Sequence, residues 1–187
     1  METLFIDKEI KYTGRELSPH WIYKNFKVKG SAIAAFIGEC EVKLDNMADI
    51  EDVLNNEPIY SRKMLNIIEE SFNTSLIEMI YKQRLLVSIA GELIEKKSPA
   101  CKIERSGDDL FINGKKLSVS IAAKSLTSSL IHFGLNIDAE GAPVKAADLA
   151  GDAGISDVKQ YALELLSAYK AEMESIYSAS EKVKGII

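Results

Sequence analysis

The sequence predicts an α+β fold, a mixed β-sheet flanked by helices. Three observations carry this. The elements run as strands, then helical patterns, then a cluster of strands, then a last helix, which is not the regular alternation of a Rossmann fold. An Asn113-Gly114 pair separates two apolar runs, the strongest short hairpin signal there is, because both central residues of a type I′ turn need positive φ. Two stretches, 76–96 and from about 155 onward, repeat apolar residues at helical spacing.

In chain order, Thr3 to Ile6 reads as a short strand. Ser18 and Pro19 suit the cap and first position of a short helix. Gly30 to Val42, with Ile33, Phe36 and Ile37, reads as a strand buried on both faces. Residues 43–58 are acidic and turn-like. From Ser61, Met64, Leu65, Ile67, Ile68 and Phe72 fit the buried stripe of a helix. Ser75 opens a second helix to about Lys96, ended by Pro99. Residues 101–104, 110–112, 116–123 and 130–137 read as strands. Residues 138–154 read as a Gly- and Ala-rich loop with a short helix near Ala146. A long helix starts at about Ile155, capped by Ser156 or Asp157, with Val158, Tyr161, Leu165, Tyr169 and Met173 on its buried face.

The totals fit one well-cored domain spanning 1–187, with 47% hydrophobic and 27% charged residues. A net charge of -5 argues against a nucleic-acid partner, which would ask for a basic footprint. Cys40 and Cys101 form neither a zinc spacing nor a disulfide framework and read as reduced thiols. The N-terminus turns acidic before a signal-peptide core could form, and no apolar run reaches the ~18 residues of a membrane span. No membrane partner and a cytoplasmic location are the expectations. The late apolar strands leave sheet edge to cover, so a homodimer is expected.

The chemistry-bearing stretch is residues 107–121. Strand parity puts Lys116, Ser118 and Ser120 on one polar face, and Lys115, Leu117, Val119 and Ile121 on the other. Lys116 either reaches over a pocket as a compact cation for a carboxylate or phosphate, or is a solvated turn lysine. Arg84, on a largely apolar helix, lies on its polar edge or pairs with an anion. Trp21 is a pocket lid or a core anchor. His132 reads as a hydrogen-bonded core or interface histidine more readily than a catalytic one. The acidic cluster Glu39, Glu41, Asp45, Asp49, Glu51 and Asp52 has no EF-hand spacing and reads as a solvated loop, so no metal site is assigned.

Asp109-Leu110-Phe111-Ile112-Asn113-Gly114-Lys115-Lys116-Leu117, followed by Phe133-Gly134-Leu135-Asn136-Ile137, resembles the active-site hairpin and strand end of biotin and lipoate protein ligases. The resemblance implies their class II synthetase-like fold, ATP as cofactor, and a small carboxylate or a nucleotide as the ligand of a pocket over the sheet. It places Lys116 where those enzymes contact the substrate carboxylate and acyl-adenylate. It matches Asp109 and Asn136 to the family's aspartate and asparagine, with Asp108 where the family has asparagine. The ligases' repeated Gly-Arg loop is reduced to Gly14-Arg15. Through Gly14-x-x-Leu17-x-x-x-Trp21, Gly38-Glu39-Cys40-x-Val42, Gln83-Arg84-Leu85-Leu86 and the hairpin, the whole chain resembles the uncharacterised domain family numbered 366. The implied site is Lys116 as the catalytic group, with Arg15, Trp21, Arg84, Asp109, Ser118 and Asn136 binding the ligand. The implied function is acyl-adenylate formation or acyl transfer. The alternative is a non-catalytic small-molecule-binding or homodimeric interaction protein on the same fold.

Overall fold

The computed structural model describes residues 1–140 and 144–186. Strand β1 (Glu2–Ile6) leads to the short helix α1 (Trp21–Phe26), then to β2 (Ala32–Val42). A 3₁₀ turn and helix α2 (Ile50–Asn55) precede β3 (Ile59–Phe72), followed by the long helix α3 (Leu76–Lys97). The strands β4 (Glu104–Ser106), β5 (Asp109–Ile112), β6 (Lys115–Lys116), β7 (Ser118–Lys124) and β8 (Ser128–Asp138) come next, and α4 (Val158–Glu181) closes the order. Five strands form the main sheet in the order β1-β2-β3-β8-β7, while β4, β5 and β6 form a small second sheet. The main sheet is mixed because β1 runs parallel to β2 and all other neighbours are antiparallel.

The segment 61–72 departs from the sequence expectation. It is the central strand, paired with both β2 and β8, and not a helix. The reason is burial on both faces. Leu65 and Ile67 pack toward α3 and α4, whereas Met64 and Ile68 pack toward α1. A strand that is apolar on both sides loses its alternation, and a run such as Met64-Leu65-Asn66-Ile67-Ile68 then fits helical spacing equally well. Ser61 caps nothing; its hydroxyl donates to the Lys63 carbonyl at 3.2 Å, just before the bulge between Lys63 and Met64.

The other elements follow from local chemistry. Ser75 and Glu78 close a full capping box on α3. Asp157 caps α4 by accepting from the Gln160 N–H at 2.9 Å. Helix α1 starts differently from the expected Ser-Pro cap: His20 holds its N-cap position at φ 61° with no side-chain bond. The Asn113-Gly114 turn has φ values of 51° and 72°, as a type I′ turn requires. Ala146 forms no helix; it bridges to Lys116 in β fashion, and residues 141–143 of that expected loop lie outside the described residues.

The two sheet faces are covered unequally. α3 and α4 seal one face, with Met79, Leu86, Val87, Tyr161, Leu165 and Tyr169 among the buried side chains. The other face is covered by α1 and the segments around residues 10–28 and 42–59. That lighter cover leaves a cavity beside Met64, His132 and Asn136.

Candidate functional site

The cavity has a volume of about 240 Å³, small for a ligand site. Val42, Met64, Val119 and Ile121 contribute apolar walls, and Tyr12 and His132 lie among its lining. The segment carrying Tyr12 reaches the sheet because Gly38 has no side chain: a Cβ there would come within 2.0 Å of the Ile10 carbonyl oxygen. The polar rim holds Lys116 against Asp49, Asp52, Glu57, Asp108 and Asp109. Among the described lining residues Lys116 is the one Lys or Arg.

Lys116 Nζ lies 2.9 Å from Asp109 Oδ2 across the hairpin, with both side chains partly exposed. Burial raises the Asp109 carboxyl above the ordinary aspartate value, and the Lys116 ammonium opposes that rise. Asp52 is raised as well, by burial first and then by Asp49. The backbone of Lys116 is clamped from outside the hairpin. Its N–H donates to Lys145 O at 3.0 Å, and its carbonyl accepts from Ala147 N at 2.9 Å.

The expected strand 116–123 is broken at Leu117. The Leu117 N–H donates to Leu110 O in the small sheet, while its carbonyl accepts from Asn136 N in the main one. This crossover changes the faces. Ser118 and Ser120 pair with Leu135 and Phe133, and their hydroxyls accept from the Leu110 N–H and the Gln83 side chain. Val119 packs with the cavity-side core instead, and Ile121, paired with His132, lines the cavity beside it. Parity read through a continuous strand put Leu117 and Val119 on one face, but they pack in different cores; Lys116, Ser118 and Ser120 all line the cavity as that parity grouped them.

Of the other candidates, Asp109, Ser118 and Asn136 also line the cavity, and Arg15, Trp21 and Arg84 do not. Asn136 is tied into the frame: its Nδ2 donates to the Ala147 carbonyl at 3.2 Å and to the Lys116 carbonyl at 3.5 Å. It positions the lysine strand. Arg84 lies 2.9 Å from Asp108, and Gln83 donates to the same carboxylate at 2.8 Å, so α3 anchors the hairpin base through Asp108. Trp21 packs against Phe26 and Phe36 in the core. Arg15 is exposed, with Nε 3.5 Å from Asn46 Oδ1. Sequence reasoning missed Tyr12, for which no local signal exists. Glu39 and Glu41, read as part of an acidic loop, both pair with Lys11. Among the described residues no group of three or more His, Cys, Asp or Glu side chains stands in a metal-binding arrangement.

The family model described as a domain of unknown function, DUF366, matches residues 1–184. The chain belongs to this family. An uncharacterised protein of Methanocaldococcus jannaschii is 38% identical over 182 residues, covering 94% of this chain and 81% of that one. A protein of unknown function from Pyrococcus horikoshi superposes with a TM-score of 0.93 at 34% identity, covering 100% of this chain and 99% of that one. The fold extends to ligases. Biotin protein ligase from Aquifex aeolicus, in complex with biotin and ATP, gives a TM-score of 0.56 at 14% identity, covering 90% of this chain and 69% of that one. A T. acidophilum protein assigned as a lipoate protein ligase, with lipoic acid bound, gives 0.61 at 11%, covering 92% and 85%. The chain thus shares the mixed, helix-flanked sheet of biotin and lipoate ligases. No helix among the described residues is long and apolar enough to cross a membrane.

Proposed function

We propose that this protein binds a small carboxylic acid in the cavity, with the carboxylate on Lys116 and the rest of the molecule over Met64, Val119 and Ile121. The observation that carries the reading is the placement of Lys116. It is the lone Lys or Arg among the described lining residues, its backbone is clamped on both sides, and its partner Asp109 can be displaced because burial already favours the protonated acid. A carboxylate arriving with one proton neutralises Asp109 and takes over the ammonium. The remaining rim carboxylates Asp49, Asp52 and Glu57 favour an acid that also carries an amino group, so amino acids belong among the ligands to screen.

The neighbouring biotin ligase binds ATP, but the lining here fits a triphosphate poorly. Five carboxylates face one lysine, and Arg15 lies outside the lining. The reading is therefore a binding or acyl-handling protein on a ligase fold, with no step routed through a nucleotide. A thermal-shift screen with short fatty acids, biotin, lipoate, amino acids, ATP and AMP tests it. A ligand present at ~100 times its dissociation constant stabilises the fold by ~2.7 kcal/mol. We expect a carboxylic acid to raise the melting temperature of the wild type and not of Lys116→Ala. Stabilisation by ATP or AMP alone would overturn the reading.

A further inference from the structure

Two polar atoms on the cavity side of the sheet have no partner among the described residues. Tyr12 is 3% exposed and His132 2%. Their rings stack, with centroids 3.7 Å apart and planes 9° from parallel. His132 Nε2 lies 3.0 Å from Asn66 Oδ1. Asn66 is itself oriented, since its Nδ2 donates to the Met64 carbonyl at 3.3 Å. Its oxygen therefore accepts, and Nε2 carries the proton. In a neutral ring Nδ1 is then a bare lone pair. Burial keeps the ring neutral, with its pKa lowered to about 3.

Neither Nδ1 nor the Tyr12 hydroxyl makes a hydrogen bond among the described residues, and neither is an orphan sealed from solvent. Both residues line the cavity. Both are also held in place. Tyr12 is anchored by backbone bonds to Glu39 and Glu41 at 2.8 and 2.9 Å, and His132 sits in the sheet between β3 and β7. An acceptor on one ring stacked against a ring that carries a donor, in a cavity with apolar walls, complements one edge of a cis amide.

We infer that this part of the cavity recognises a neutral cis-amide or lactam-like group of the ligand: its N–H donates to His132 Nδ1 and its carbonyl accepts from the Tyr12 hydroxyl. The inference deepens the ligand-binding reading of the same cavity and rests on it. A carboxylate at this position would meet the lone pair of Nδ1. An ammonium would satisfy the lone pair of Nδ1 and leave the Tyr12 hydroxyl without an acceptor. A neutral group satisfies both atoms without moving either ring.

Nitrogen-15 NMR of the full chain tests this, because His20 and His132 are the chain's two histidines. The probes are δ-valerolactam and its N-methyl derivative. Free protein should show His132 as the Nε2–H tautomer. Valerolactam should shift the Nδ1 resonance in a saturable way, and the N-methyl compound should bind about tenfold more weakly. Tyr12→Phe keeps the stack and should weaken valerolactam by about the same factor. An Nδ1–H tautomer, no response to valerolactam, or an equal response to both lactams overturns the proposal. Lys116→Ala separates the two readings: it should weaken carboxylate binding about ten- to a hundredfold and leave the lactam response intact. Lactam binding without any carboxylate binding sinks the Lys116 reading alone. Carboxylate binding without a lactam response sinks this one alone.

Discussion

Glu69 and Glu70 are neighbours in the central strand and are buried on opposite faces of the sheet, at 0% and 2% exposure. Glu69 pairs with Lys82 of α3 and accepts from the Tyr169 hydroxyl of α4 at 2.8 Å. Glu70 accepts from the His20 N–H at 2.8 Å and the Ser128 hydroxyl at 2.6 Å. One dipeptide thus fastens both long helices on one side and the start of α1 on the other. Removing one partner of a buried ion pair strands the other, at a cost of ~3–5 kcal/mol. Glu69→Ala should lower stability in urea unfolding by about that much. Glu69→Leu combined with Lys82→Met should lose much less, and equal losses would show that the pair itself is not the cause.

Lys116→Ala and Lys115→Ala should separate binding from folding. Lys115 pairs with Asp152 at 2.9 Å, does not line the cavity, and should leave ligand affinity unchanged. Lys116→Ala should remove a charge-assisted hydrogen bond worth ~1.5–3 kcal/mol, a loss of about ten- to a hundredfold in affinity by calorimetry. Both side chains are partly exposed, so either change should cost less than ~1 kcal/mol of stability.

Asp109→Asn should strengthen carboxylate binding at neutral pH, because it frees the ammonium without a proton. In the wild type the Asp109 carboxyl is already raised by burial, and a carboxylate on Lys116 raises it further. Binding then takes up a proton, so affinity should grow as the pH falls from neutral. Calorimetry in two buffers of different ionisation enthalpy reads that uptake. The variant should show none.

Stability should fall as acid reaches His132. Its folded value is depressed to about 3 by burial, below the ordinary histidine value of 6.5. The contribution is complete above the unfolded value and is lost as the pH drops toward the folded one. The unfolded chain binds the extra proton in that window, at about 1.4 kcal/mol per pH unit. His132→Phe keeps an aromatic ring against Tyr12 and leaves Asn66 short of a partner. It should start less stable at neutral pH and show a shallower loss between about pH 6 and 4 in thermal melts.

The homodimer expected from the sequence stands as a proposal about the edges β1 and β7 of the main sheet. Light scattering at tens of micromolar should return twice the chain mass of 20.7 kDa. A clean monomer mass would reject it.

The fold was legible where a single physical cause acted locally. The Ser75–Glu78 box, the Asn113-Gly114 turn and the amphipathic pattern of α4 each announce themselves over a few residues. β3 was not legible, because burial on both faces erases the period that separates strand from helix. The site was half legible. The hairpin pointed to Lys116 and Asp109, but the break at Leu117 depends on hydrogen bonds to Leu110 and Asn136 that no local pattern encodes. Arg84 looked like a ligand group because its partner, Asp108, is 24 positions away in sequence. Tyr12 meets His132 across 120 positions, a contact made only by the fold.

The clamp on Lys116 gives the cavity an adjustable wall. The lysine's backbone is held by residues 145 and 147, which belong to neither sheet, and Asn136 ties the same stretch to β8. The exposed Val144 and Lys145 can therefore vary and reset the height of the ammonium over the sheet, while Ala147 and Leu149 stay buried in the core. Selectivity and robustness are thus set by different residues of one segment, so relatives that differ at the exposed positions 144 and 145 should diverge in what they hold before they diverge in how they fold.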